Sequence, residues 1–298
     1  MNRILNFGSL NIDLVYSLDH IVREGETISS KKREVFPGGK GTNQSIALAR
    51  AGGQVFHAGN VGEDGIFLRD LLEENQVDCR FLSVRQEPNG HAVILKDKEG
   101  QNSIVLFGGS NQSVEETQVE EAIRFFEAGD VLVCQNEINC MPKILERAAA
   151  QGMRIALNPS PFTEDIRQWP LSSVTWLFIN EIEGEQLTGV REEEKMLEVL
   201  KERYPDTGVI LTLGSQGAIY QKGEERVVQP AVKTHVADTT AAGDTFMGYF
   251  ISTYLLREDP KAAMESAAAA ASLAVSRDGA VPSIPRKGEV EELLAGLR

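Results

Sequence analysis

The sequence predicts an α/β fold, a mostly parallel sheet with helices on both faces. Three observations carry this. Strand-length apolar runs alternate with helical-period segments along most of the 298 residues. The central runs are short and unbroken, as strands buried on both faces are. Polar residues follow them directly, where parallel sheets bind ligands.

The chain enters a strand at once with Ile4-Leu5-Asn6-Phe7. Residues 114–128 have a helical pattern and lead into a buried-type strand at 130–135; 141–150 and 153–157 repeat the unit, and 176–179 and 209–213 are further strands. Glu137, Asn158, Asn180 and Gly214 then fall at the carboxyl ends of these strands. Two stretches break the rhythm: 27–36, polar and extended, and a hairpin-like pair, 92–95 and 103–107, around Asp97-Lys98-Glu99-Gly100. They predict a small inserted sheet, with Ile104 and Leu106 forming an exposed apolar face.

The most telling stretch is Asp238-Thr239-Thr240-Ala241-Ala242-Gly243-Asp244-Thr245-Phe246. Phe246, Met247, Phe250, Ile251, Tyr254 and Leu255 follow with helical spacing, so the small residues form a turn between a strand end and a helix start. Backbone N–H groups at Ala241, Ala242 and Gly243 would form a pocket for anionic oxygens, reinforced by the helix dipole. Asp244 stands at its rim, placed to accept a proton from a hydroxyl during phosphoryl transfer. A late proton loss lets a weak, well-placed base suffice. Read alone, an Ala-Gly-Asp tripeptide is more often a helix cap than a catalytic turn.

A second loop enters a helix at Gly38-Gly39-Lys40-Gly41-Thr42-Asn43-Gln44, and Gly52-Gly53 stops that helix. It is not a P-loop, because Gly41 follows Lys40 where Ser or Thr is required. The glycines allow a close backbone approach to a ligand, with Lys40 and Asn43 supplying a cation and an amide.

The formal net charge of −14 excludes nucleic acid and anionic membrane as partners, since both need clustered Lys and Arg. Small substrates fit, ATP among them when Mg²⁺ screens its phosphates. Cys79, Cys134 and Cys140 read as reduced thiols of a cytoplasmic protein, and the four histidines have no zinc spacing. Neither a signal peptide nor a membrane-spanning run is apparent.

Together these motifs resemble the signatures of the ribokinase family of carbohydrate kinases, also called the PfkB family. The resemblance runs the length of the chain: Gly8-Ser9-Leu10-Asn11-Ile12-Asp13, the glycine loop, Asn180-Glu181-Ile182-Glu183, Thr212-Leu213-Gly214-Ser215-Gln216-Gly217, and the turn before Asp244. It implies a ribokinase-like three-layer α/β/α sandwich over residues 1–298, with a mostly parallel central sheet. Segments of about 14–36 and 90–107 would form a β-sheet lid, through which two subunits clasp as a homodimer.

The activity implied is transfer of the γ-phosphate of ATP to the primary hydroxyl of a sugar, D-ribose foremost, with Asp244 as base. Asn11, Asp13, Gly39, Lys40, Asn43, Glu137 and Asp244 match the sugar contacts. Asn180, Glu183, Thr212, Leu213, Gly214, Ser215, Gln216, Gly217 and Gly243 match the nucleotide contacts, with Glu183 reaching Mg²⁺ through water. Asp238, Thr240, Ala274, Arg277, Gly279 and Ser283 match a monovalent-cation site, normally K⁺, built mostly from carbonyl oxygens.

Asn89-Gly90-His91 departs from the Ser-Thr-Gly usual in ribokinases, which leaves fructose, 2-keto-3-deoxygluconate or a nucleoside as alternative acceptors. A Rossmann oxidoreductase is disfavoured, because Gly8-Ser9-Leu10-Asn11 lacks the Gly-x-Gly-x-x-Gly spacing. A non-catalytic sugar-binding regulator would be expected to lose the base or the anion pocket, and both are kept.

Overall fold

A computed structural model describes residues 2–297. The chain begins with β1 (Arg3–Phe7), β2 (Asn11–Ser17), β3 (Lys32–Gly38), α1 (Lys40–Arg50), β4 (Gln54–Gly62), α2 (Ile66–Glu74), β5 (Asp78–Arg85), β6 (Gly90–Lys96) and β7 (Asn102–Phe107). It continues through α3 (Glu116–Arg124), β8 (Val131–Gln135), α4 (Met141–Ala150), β9 (Arg154–Asn158), β10 (Trp176–Asn180), α5 (Glu181–Thr188), α6 (Glu193–Arg203) and β11 (Gly208–Thr212). It ends with β12 (Ala218–Lys222), β13 (Glu225–Gln229), α7 (Ala242–Arg257), α8 (Pro260–Val275) and α9 (Lys287–Leu297).

Nine strands form one sheet in the order β13-β12-β11-β10-β9-β8-β1-β4-β5. Strands β11 to β5 in that order pair in parallel, and β12 and β13 are antiparallel additions at one edge. Unbroken apolar runs explain the centre: Val-Leu-Val-Cys-Gln in β8 is buried at every position. One face packs on Ile123, Leu145, Leu187 and Leu200 of α3 to α6. The other packs on Leu48, Leu72, Phe250 and Ala267 of α1, α2, α7 and α8. Three α/β/α layers result.

The remaining four strands form a second sheet, β3-β2-β6-β7, assembled from the two stretches that interrupt the sequence rhythm. It leaves the main sheet at the end of β1, and its outer strand β7 is exposed at every residue. Within 27–36 only the last residues are strand, because β3 starts at Lys32.

Two expectations need correction. No strand ends just before Asp238: β13 stops at Gln229, and residues 230–241 run irregularly from Pro230, whose ring cannot donate to a sheet ladder. Nor does α7 present a single apolar face. Every residue from Asp244 to Ser252 is buried, as in a helix enclosed all round. No helix among the described residues is long and apolar enough to cross a membrane.

Candidate active site

Sheet order reverses between β1 and β8: from β1 the chain proceeds outward through β4 and β5, and from β8 it proceeds the other way through β9, β10 and β11. A crevice opens beyond the carboxyl ends of the strands at such a switch point. Polar residues end the strands there, Gln135 opposite Asn158 and Asn180 opposite Thr212.

The glycine loop closes one side of the crevice. Gly39 has φ 89°, and a Cβ on it would meet the Asn11 amide nitrogen at 2.8 Å. A Cβ on Gly41 would meet Ser9 backbone atoms at 2.4 and 2.5 Å. These two glycines let the loop approach the chain's own backbone at residues 8–11, with Thr42 N donating to the Ser9 carbonyl at 3.0 Å. The packing sets Lys40 at the first position of α1.

Three carboxylates surround Lys40. Burial alone would lower its pKa, but Asp244, Glu137 and Glu183 outweigh that and hold the ammonium above its ordinary value. Glu137 accepts from the Lys40 backbone N–H at 3.0 Å and from the Ser9 hydroxyl. Asp13, on β2, is pushed up to about 7 by burial and by the nearby Glu137. Asn11 is held from behind: Asn111 Nδ2 donates to its Oδ1 at 2.7 Å.

Helix α7 closes the other side. Ala241 caps it in the left-handed region at φ 60°, an uncommon backbone for a residue with a Cβ. The first intrahelical bond runs from Thr245 N to the Ala241 carbonyl at 2.8 Å. Ala242, Gly243 and Asp244 therefore have no intrahelical acceptor. Ala242 N reaches the Thr239 carbonyl at 3.3 Å, which leaves the Gly243 and Asp244 N–H groups as the ones open to an anion. Asp244 is buried, and both carboxylate oxygens are bound across to α1, Oδ2 by Asn43 Nδ2 at 3.0 Å and Oδ1 by Gln44 Nε2 at 2.9 Å.

A cleft of about 260 Å³ lies between these helices, lined by Lys40, Asn180, Glu183, Thr212, Gly243 and Asp244 among others. Asn180 and Glu183 form a capping box for α5: Asn180 Oδ1 accepts from Glu183 N at 2.8 Å, and Glu183 Oε2 from Asn180 N at 3.0 Å. The motif thus builds a helix start and also faces the cleft. Thr212 lines it, whereas Leu213 to Gly217 form the turn joining β11 to β12, closed by Leu213 N donating to the Gly217 carbonyl at 2.8 Å.

Among the described residues no group of three or more His, Cys, Asp or Glu is placed to hold a metal ion. Of the six residues matched to a monovalent-cation site, Asp238 joins two loops, its Oδ1 accepting from Thr240 N at 2.9 Å and its Oδ2 from Gly279 N at 3.1 Å. The Ala274 carbonyl accepts from Arg277 N at 3.1 Å, and Ser283 Oγ donates to the Ala280 carbonyl at 2.7 Å. The Arg277 side chain turns to Glu289. Backbone oxygens with one carboxylate are suitable chemistry for K⁺.

Sequence reasoning missed Ser9, Gln44, Asn89 and Asn111. Asn89 is fully buried and donates to the Leu10 carbonyl at 2.9 Å, so the departure at 89–91 props the Asn11 segment. Gln44, Asn89 and Asn111 stand among polar and small residues and give no local signal, unlike Asn6, a polar residue inside an apolar strand.

The sequence pattern of pfkB family carbohydrate kinases matches residues 1–287. The chain is similar to the ribokinase of Bacillus subtilis (strain 168), with 34% identity over 99% of this chain and 100% of that protein. Among solved structures it is similar to ribokinase from Cryptococcus neoformans var. grubii serotype A in complex with ADP, at a TM-score of 0.86 and 34% identity over 98% and 99% of the two chains. It is also similar to Arabidopsis thaliana ribokinase complexed with ribose and ATP, at a TM-score of 0.87 and 30% identity over 98% of each chain. The match over nearly every residue and the facing helix starts at the switch point have one explanation: the chain belongs to the pfkB family of carbohydrate kinases.

Proposed function

We propose that the protein transfers the γ-phosphate of ATP to the primary hydroxyl of D-ribose, giving D-ribose 5-phosphate. One observation carries the reading: a buried carboxylate, Asp244, sits in the first turn of a helix whose free N–H groups and the Lys40 ammonium share its cleft. Asp244 takes the hydroxyl proton as the oxygen attacks the γ-phosphorus in line. The Gly243 and Asp244 N–H groups and Lys40 stabilise charge on the transferring group.

Asn11, Asp13, Gly39, Asn43 and Glu137 hold the sugar. Asn43 Oδ1 supports this assignment, because it is buried with no partner and suits a hydroxyl donor. Asn180, Glu183, Thr212 and the 213–217 turn hold ATP. Mg²⁺, when bound, neutralises phosphate charge, with Glu183 acting through water; K⁺ sits among the 238–240 and 274–283 oxygens.

The four-stranded sheet is the lid, and two subunits meet through it. Ile104, Val105, Leu106 and Phe107, each about half exposed or more, supply the apolar face. A monomer mass in sedimentation velocity would refute that dimer. Three thiols without a disulfide suit the cytoplasm.

The test is ADP release with Mg²⁺ and K⁺ against ribose, 2-deoxyribose, fructose, 2-keto-3-deoxygluconate and adenosine. Preference for ribose bears the proposal out. Preference for another acceptor keeps the chemistry and overturns the substrate, and silence across the panel overturns both.

A further inference from the structure

Behind Asp244 runs a chain of buried side chains that reaches its carboxylate through Gln44. Asn6, Gln44, Ser45, His57 and Gln135 are all at most 1% exposed. Gln135 Nε2 lies 2.9 Å from Asn6 Oδ1 and 2.6 Å from Gln44 Oε1. Asn6 Nδ2 donates to the Gly41 carbonyl and to Ser45 Oγ, both at 2.8 Å. Ser45 Oγ sits 2.8 Å from His57 Nδ1, and His57 Nε2 sits 3.2 Å from the Gly8 carbonyl.

Two backbone carbonyls fix the direction of every bond, because a carbonyl only accepts. Gly41 O demands the Asn6 amide nitrogen, so Asn6 presents its oxygen to Gln135. Gln135 must then donate, and the Gln44 atom beside its nitrogen must be an oxygen. Gln44 is left with its N–H groups facing Asp244. At the far end Gly8 O demands the His57 Nε2 proton, so Nδ1 accepts from Ser45. Burial pulls the His57 pKa down to about 4, which keeps the ring neutral and this tautomer in place. The arrangement leaves Gln135 Oε1 buried without a partner. Stability alone would favour an apolar side chain there.

We propose that Gln44 is a positioning residue for the base and that Gln135 fixes its orientation, so that the pair aims the Asp244 carboxylate at the acceptor. The inference rests on the reading of Asp244 as base. The charged groups facing Asp244 are Lys40 on α1, Glu137 beyond β8 and Glu183 on α5, and the variants below leave all three in place.

The experiment compares wild type, Gln44→Met and Gln135→Met in kcat, in KM for ribose, and in kcat as a function of pH. Removing a charge-assisted donor favours the protonated carboxyl, so in Gln44→Met the acid limb of kcat moves up by about one pH unit. Its kcat at neutral pH falls about tenfold with KM changed less than about twofold. Gln135→Met moves the limb in the same direction but less, because Gln44 remains and is free to turn. Should a Met variant fail to fold, Gln44→Glu keeps the volume and the bond from Gln135 while turning the donor into an acceptor, and it must raise the limb as well.

A wild-type limb in the folded variants, or a loss confined to melting temperature or KM, overturns the positioning role. Turnover retained by Asp244→Asn overturns the assignment of the base instead, so the two failures are distinguishable.

Discussion

The two helix starts that face each other across the cleft are built oppositely. At α1 every residue from Gly41 to Leu48 is buried, and a Cβ on Gly41 would strike backbone at 2.4 Å. At α7 Gly243 is exposed, and a Cβ on it would meet nothing within 4 Å. One glycine is required by the protein's own packing. The other has no protein neighbour to accommodate, and its missing side chain makes sense only for something that approaches from the cleft. The start of α1 is thus a fixed wall, whereas the start of α7 is the working surface, held in place by the amides of Asn43 and Gln44.

The largest effect is expected where the two starts join. Asp244→Asn should lower kcat by about 10³-fold, within the range for removal of a general base, while unfolding measurements change little. Turnover near wild type would dissolve the distinction between wall and working surface. Next comes Gly41→Ala, which must displace Ser9 backbone and should cost about 3 kcal/mol in urea unfolding, if the variant folds at all. Wild-type stability there would mean that the wall yields.

Gly243→Ala is the sharper counterpart. Its stability should stay equal or rise by less than about 1 kcal/mol, since alanine is the better helix former. Steady-state assays should show kcat/KM for ATP reduced about tenfold as the methyl crowds the anion pocket. Loss of stability with intact activity would reverse the comparison.

The smallest effect concerns the sugar side of the wall. Burial and Glu137 hold Asp13 up to about 7, whereas the unfolded chain ionises near its ordinary 3.8. A raised carboxyl contributes stability that is full below the unfolded pKa and fades as pH rises to about 7. The melting temperature of Asp13→Asn relative to wild type should therefore climb between about pH 4 and pH 7 and level off above. A flat difference would place Asp13 in water.

Much of this was legible in the sequence, for reasons that also mark its limit. Strands β8, β9, β10 and β11 announce themselves as short apolar runs, and α4 was bounded correctly because Gly152 ends its period. Asp244 was legible because small residues precede an apolar helix. Glu137 and Asn180 were placed by the rule that ligands gather at strand ends. The relay was not legible: Gln135 and Gln44 are 91 residues apart, and their partnership leaves no local period. The expected strand end before Asp238 is absent because the chain runs irregularly from Pro230, where apolar residues such as Val232 and Val236 are scattered without a strand period.

Asn43 and Asp244 are 201 residues apart, and α7 lies so close to α1 that a Cβ on Gly248 would come within 2.5 Å of Ala47 Cβ. During synthesis the ribosome delivers Asp244 and Met247, both on α7, after every other residue that lines the cleft. A chain grown only to residue 240 holds Asn11, Asp13, Lys40, Asn43 and Glu137 but neither Asp244 nor the α7 turn. Until α7 docks on α1, the cleft lacks the whole side formed by Ala242, Gly243, Asp244 and Met247.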